Sequence, residues 1–151
     1  MKFRITHRIM CAAALASLAL AIGQAHADGA LPPVQHSGPV AYLSGGVGSA
    51  ESSAIQDASK HWPLTLEFAI KTPQGAEYAA DVDVQLTDAK GQTALATRSQ
   101  GPFLLAQLAP GAYRVDATLA GKTLHQQLSI IAGQPAKAVL LWPAGTDKAP
   151  A

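Results

Sequence analysis

Cysteine is almost missing from this chain. The one cysteine in 151 residues is Cys11, so residues 28–151 contain no thiol and cannot form a disulfide, even in an oxidising compartment. Aromatic residues make up only 5% of the chain, too few to furnish extended stacking surfaces. No uncharged apolar run reaches the roughly 20 residues that a membrane-spanning helix needs; the longest, residues 9–22, has about 14 and stops short of that length. Excess positive charge is missing too. The formal net charge is +1, but Lys2, Arg4 and Arg8 supply three of the eleven cations. Residues 28–151 carry eight Lys or Arg against ten Asp or Glu, a net charge of −2. No basic stripe remains to attract nucleic acid or anionic lipid, and neither is expected as a partner.

The first 27 residues have the organisation of a secretory signal peptide. A positive start is followed by the apolar run, which ends at Ala25-His26-Ala27 with small residues at positions −3 and −1. Retention as an uncleaved anchor is the alternative. Cys11 sits too early in the apolar run to be a lipid-modified cysteine and is expected to leave with the signal. The expected location is the bacterial periplasm or the exterior. Cleavage after Ala27 leaves 124 residues, a length suited to one domain that buries roughly two thirds of its unfolded surface.

Residues 28–39 hold three prolines and two glycines with no apolar period, and read as a flexible arm. Residues 145–151 read as a tail, and the domain is placed at 40–144. Its one helix is expected over residues 50–60. Ser49 is placed as the N-cap and Glu51 in the first turn; Ala54, Ile55 and Ala58 form a narrow apolar stripe. Trp62 precedes Pro63, a position that disfavours continued helix.

From Pro63 the period becomes two. Leu64, Leu66, Phe68 and Ile70 alternate with polar or small residues, as do Val82, Val84 and Leu86. Such segments are strands buried on one face. Asp88-Ala89-Lys90-Gly91 is expected to be a type I turn, with Gly91 at the left-handed bulge position. Further strands are expected over residues 93–99, 103–108, 113–119, 124–131 and 138–142. Tyr113, Val115, Ala117 and Leu119 share one face of their strand. About seven short strands with frequent turns predict a mostly β fold, a sandwich of two antiparallel sheets.

Residues 80–130 also carry a family likeness. The run from Val82 through the Asp88–Gly91 turn, then Gly101-Pro102-Phe103, then Leu108-Ala-Pro110-Gly111-Ala-Tyr113-Arg-Val115, resembles carboxypeptidase regulatory-like (prealbumin-like) domains. The resemblance implies a seven-stranded sandwich and an accessory or adhesive role. It supplies no catalytic residue. A glycine-rich segment and helix replace the usual first strand, and Gly101-Pro102 stands where an acidic-Gly pair is common. The whole chain is also similar to short exported proteobacterial proteins with a Y-L-S-G-G-x-G start.

Gly45, Gly46, Gly48 and Ser49 are the candidate binding residues. Backbone amides before a helix can hold an anion or a partner's carboxylate. The segment lacks the lysine of a phosphate-binding loop, and a tight turn that lets the strand pack on the helix is the simpler reading. His36, His61 and His125 have no metal-ligand spacing, so no metal or cofactor is expected. Ser44 and Ser49 lie outside any G-x-S-x-G pattern. Asp81 and Asp83 are placed on one solvated strand face. Trp62 and Trp142 offer a sugar-stacking pair or, more simply, plugs at the sandwich ends. The expected function is a non-enzymatic accessory or binding module that contacts another envelope protein. The alternative is a periplasmic ligand-binding protein for a carbohydrate or small anion.

Overall fold

Alternation in the sequence becomes two facing sheets in a computed structural model, which describes residues 30–148. The expected signal peptide and cleavage site, and Cys11, lie outside the described residues. The strands are β1 (Gln35–Ser37), β2 (Val40–Gly45), β3 (Leu64–Thr72), β4 (Gly75–Tyr78), β5 (Val82–Asp88), β6 (Thr93–Ser99), β7 (Phe103–Ala106), β8 (Gly111–Leu119), β9 (Lys122–Ile130) and β10 (Ala136–Trp142). The helix α1 (Ser49–Ser59) follows β2. One sheet has the order β1-β2-β7-β3-β10, with β4 also paired to β3; the other has the order β6-β5-β8-β9.

The inward faces are those the period of two predicts. Leu64, Leu66 and Phe68 of β3, Val82 and Leu86 of β5, and Val115 and Ala117 of β8 are fully enclosed. Each large apolar side chain buried this way contributes about 1.5–3 kcal/mol. Phe68 and Trp142 meet in the core with ring centroids 6.2 Å apart. Trp142 is completely buried, and its indole N–H donates to the Lys122 carbonyl at 2.9 Å.

In β7 all four residues are buried. Leu104 and Ala106 face the second sheet, while Phe103 and Leu105 join Leu43 and Ile55 in a separate cluster beneath α1. The helix thus covers the outer face of β2 and β7, and Ile55 anchors it. Ser49 is the first helical residue rather than the cap. Gly48 occupies the cap position with φ 93°, and no side chain caps the helix.

The arm drawn over residues 28–39 needs correction. Residues 35–37 form β1, in register with β2 through Gln35↔Tyr42 and Ser37↔Val40. Backbone pairing, supported by a bond from the Tyr42 hydroxyl to Gln35 Oε1 at 3.1 Å, orders a stretch that has no apolar period. The tail begins later than expected as well, since Thr146 is buried and its hydroxyl donates to the Pro143 carbonyl at 2.7 Å. The described residues form ten short strands where about seven were expected. All pairs are antiparallel except β3–β10, which run parallel from Leu64↔Ala136 to Ile70↔Trp142.

The Asp88 turn forms as its residues specify. Gly91 has φ 80° and its N–H donates to the Asp88 carbonyl at 3.0 Å. Asp88 Oδ1 accepts from the N–H groups of Lys90 and Gln92, each at 2.9 Å.

Candidate functional site

The structure brings Gly45, Gly46, Gly48 and Ser49 together in the turn from β2 into α1. Gly46 and Gly48 have φ values of 98° and 93°, a region that side-chain-bearing residues rarely adopt. Glu51, one turn into the helix, reaches back so that its Oε1 accepts the Gly46 N–H at 2.7 Å. The chain's own carboxylate therefore sits where an external anion would bind this amide. Close packing accounts for the other small residues. A β-carbon on Gly46 would stand 2.5 Å from the Phe103 ring, and one on Gly45 would overlap the Glu51 carboxylate. Gly101 lies directly against the backbone of Gly45.

The remaining candidates are dispersed. His36 is on β1 and His61 follows α1. Among the described residues, no three His, Cys, Asp or Glu side chains converge as a metal site. Ser44 is buried, and its hydroxyl accepts from the Gln100 N–H at 3.3 Å. Asp81 lies outside β5, next to Arg98, the cross-strand neighbour of Asp83. It precedes the strand with φ 59° and lies 3.7 Å from Arg98. The two tryptophans do not form a platform: Trp142 is in the core, whereas Trp62 is half-buried at the end of α1.

Sequence reasoning missed a polar cluster on the outer face of the second sheet. Asp116 on β8 accepts from Arg114 Nη2 at 2.8 Å and is bonded to His125 Nδ1 on β9. Partial burial raises the Asp116 carboxyl, but the hydrogen bonds and charges of His125 and Arg114 outweigh it and hold the pKa below the usual value. Beside it, the hydroxyls of Thr118 and Thr123 meet at 2.7 Å. Alternation already put Arg114, Asp116 and Thr118 on one face. The partner His125 depended on the β8–β9 register, Asp116↔His125.

Two surfaces stand out among the described residues. The first is β10, at the end of its sheet. Ala136 N–H donates to the Pro63 carbonyl at 2.9 Å, which sets the even-numbered residues of β10 to bond β3. In an extended strand, Lys137, Val139 and Leu141 then direct their N–H and C=O groups away from the sheet. Val139 and Leu141 are 48% and 38% exposed, and Lys137 pairs with Glu67 at 2.7 Å. The second is a cleft of about 350 Å³ at one end of the sandwich, between the residues after α1 and the β9–β10 loop. Trp62, Leu108 and Ile131 give it an apolar wall, and Gln107, Gln134 and Lys60 supply polar groups.

No protein-family model matches this chain, and a search of curated proteins found no match.

Proposed function

We propose that this chain is a non-enzymatic accessory module of the cell envelope that acts through protein–protein contact, pairing a partner's extended segment along β10. The open edge of β10 carries the reading. A strand edge with unpaired N–H and C=O groups is a template for another strand, and neighbouring apolar side chains add affinity. Natural sandwiches commonly protect such edges with prolines, bulges or inward-pointing charges. Between Ala136 and Trp142 this strand has no proline, and its single charge, Lys137, is paired with Glu67. The likeness to prealbumin-like domains, whose role is accessory or adhesive, supports the same reading, as does the signal-like N-terminus.

The test places a photo-crosslinking residue at position 139 in the expressing cell and compares it with Val139→Pro. The Val139 N–H faces away from β3, so proline there removes a donor from the free edge and spares the existing ladder. The expected result is one dominant adduct that disappears with Val139→Pro while the purified variant still melts cooperatively. Absence of any adduct, or an adduct that survives the proline, overturns the reading.

A further inference from the structure

The cleft beside Trp62 is lined by residues up to Pro135, just before β10, and none of β10 itself. Leu108 and Ile130 are buried at its base, and Ile131 is 54% exposed at its rim. The half-buried Trp62 ring packs on the Ile55 cluster on one side and contributes to the cleft wall. Its indole N–H has no hydrogen-bond partner among the described residues, unlike that of Trp142. Gln107 and Gln134 line the same space, and neither carboxamide bonds another described side chain or backbone group. Among the described residues, no carboxylate lines it. The volume, about 350 Å³, is at the lower end of the range of small-ligand sites.

We infer that this cleft binds an N-acetylhexosamine-containing saccharide. A sugar ring presents a face of C–H groups that stacks on an indole, as an apolar surface does. Its hydroxyls both donate and accept, and so does each glutamine carboxamide. A plain hexose leaves the aliphatic patch of Leu108 and Ile131 without a complement. An acetamido group supplies a methyl for that patch and an N–H and C=O for the carboxamides. The lack of a lining carboxylate removes the group that would select a cationic ligand. The inference is independent of the β10 reading, because none of its residues belongs to that strand.

Trp142 provides an internal reference for the test. Chitotriose, maltotriose and a proline-rich decapeptide are titrated separately into the ¹⁵N-labelled protein, each up to about 10 mM, with the two indole N–H signals followed. Chitotriose is expected to move the Trp62 signal and leave that of Trp142 in place. Maltotriose is expected to bind at least about ten-fold more weakly, a difference of roughly 1.4 kcal/mol. Gln134→Leu, an exposed change that leaves the core intact, should weaken chitotriose at least ten-fold, as should Trp62→Phe. The inference is overturned by no movement with chitotriose, by equal binding of maltotriose, by Gln134→Leu without effect, or by binding of the proline-rich peptide alone.

Discussion

The hydroxyl of Tyr113 donates to the carbonyl of Ala109 at 2.7 Å, bridging the Pro110-Gly111 turn at the start of β8. The arrangement is that of a tyrosine corner, in which a ring at a strand start ties the preceding backbone to the sheet. The ring itself is half-buried, packed against the edge of the core. Tyr113→Phe is therefore expected to cost about 0.5–1.5 kcal/mol, the usual net worth of one hydrogen bond. Tyr113→Ala should cost about 2–3 kcal/mol, below the 3–5 typical of enclosed aromatics. Urea denaturation of the two variants checks both figures.

The same hydroxyl predicts an alkaline limb. Burial, and then the neighbouring charge of Asp88, raises the Tyr113 pKa above its ordinary value. The unfolded chain therefore loses this proton first as the pH passes about 10. The contribution is fully present below that pH and is lost as the pH climbs towards the folded value. Wild type should lose more stability than Tyr113→Phe over that interval, as read from melting temperatures across the range.

Asp116 acts at the other end of the pH scale. Its carboxyl is held below the usual value although burial opposes this, because His125 and Arg114 bond it. Its stabilising contribution is present above the unfolded value of about 3.9 and disappears as the pH falls through the folded one. Asp116→Asn should flatten the acid limb of the stability profile and leave the alkaline limb unchanged. A pH series of thermal melts distinguishes the two.

The glycine turn predicts an order of damage. A β-carbon on Gly48 meets nothing within 4 Å, so Gly48→Ala should cost only its backbone strain, about 1–3 kcal/mol at φ 93° and ψ 152°. Gly46→Ala adds a collision with Phe103, and Gly101→Ala drives a methyl into the Gly45 backbone; both should cost more than Gly48→Ala. Glu51→Ala leaves the Gly46 N–H without its acceptor and should cost about 1.5–3 kcal/mol, with Glu51→Gln milder because an oxygen remains. Chemical denaturation of the five variants gives the order.

At the β8–β9 hairpin, Ala120 and Gly121 have φ values of 47° and 78°. Both central residues are left-handed, as a type I′ turn requires, and alanine is poorly suited to the first position. Ala120→Asn or Ala120→Gly is expected to raise stability by several tenths to about 1 kcal/mol. A higher midpoint with an unchanged denaturant slope is the sign to seek.

Inward strand faces were legible in the sequence, because Leu64 to Ile70 and Val82 to Leu86 alternate; that Thr65 and Ala69 on the other face of β3 are buried as well was not. β7 was expected as a strand, but its faces could not be assigned: with Phe103 under the helix and Leu104 in the sandwich, both are apolar and the period vanishes. β4 is exposed at every position, so no burial pattern marks it. Alternation assigns faces but never neighbours, and the parallel pairing of β10 with β3 was therefore hidden. At the candidate site, the glycines were legible as a turn, and Glu51 as an acid in the first helical turn. That its carboxylate caps Gly46 depends on the angle between β2 and α1, which no local pattern encodes. The cleft was hidden for a similar reason, since Trp62, Gln107 and Gln134 are distant in sequence.

The parallel ladder between Leu64 and Ala136 also governs how late this fold can be completed. The central strand β3 is made near the middle of the chain, yet one flank waits for the last strand to leave the ribosome. Loop closure over that separation is entropically costly and slows folding relative to chains built from local contacts. Until β10 arrives, Leu140 and Trp142 are missing from the core, and a truncated or nascent chain has an open seam there. Synthesis order thus gives the polypeptide an interval in which most of its strands are made but the sandwich cannot lock.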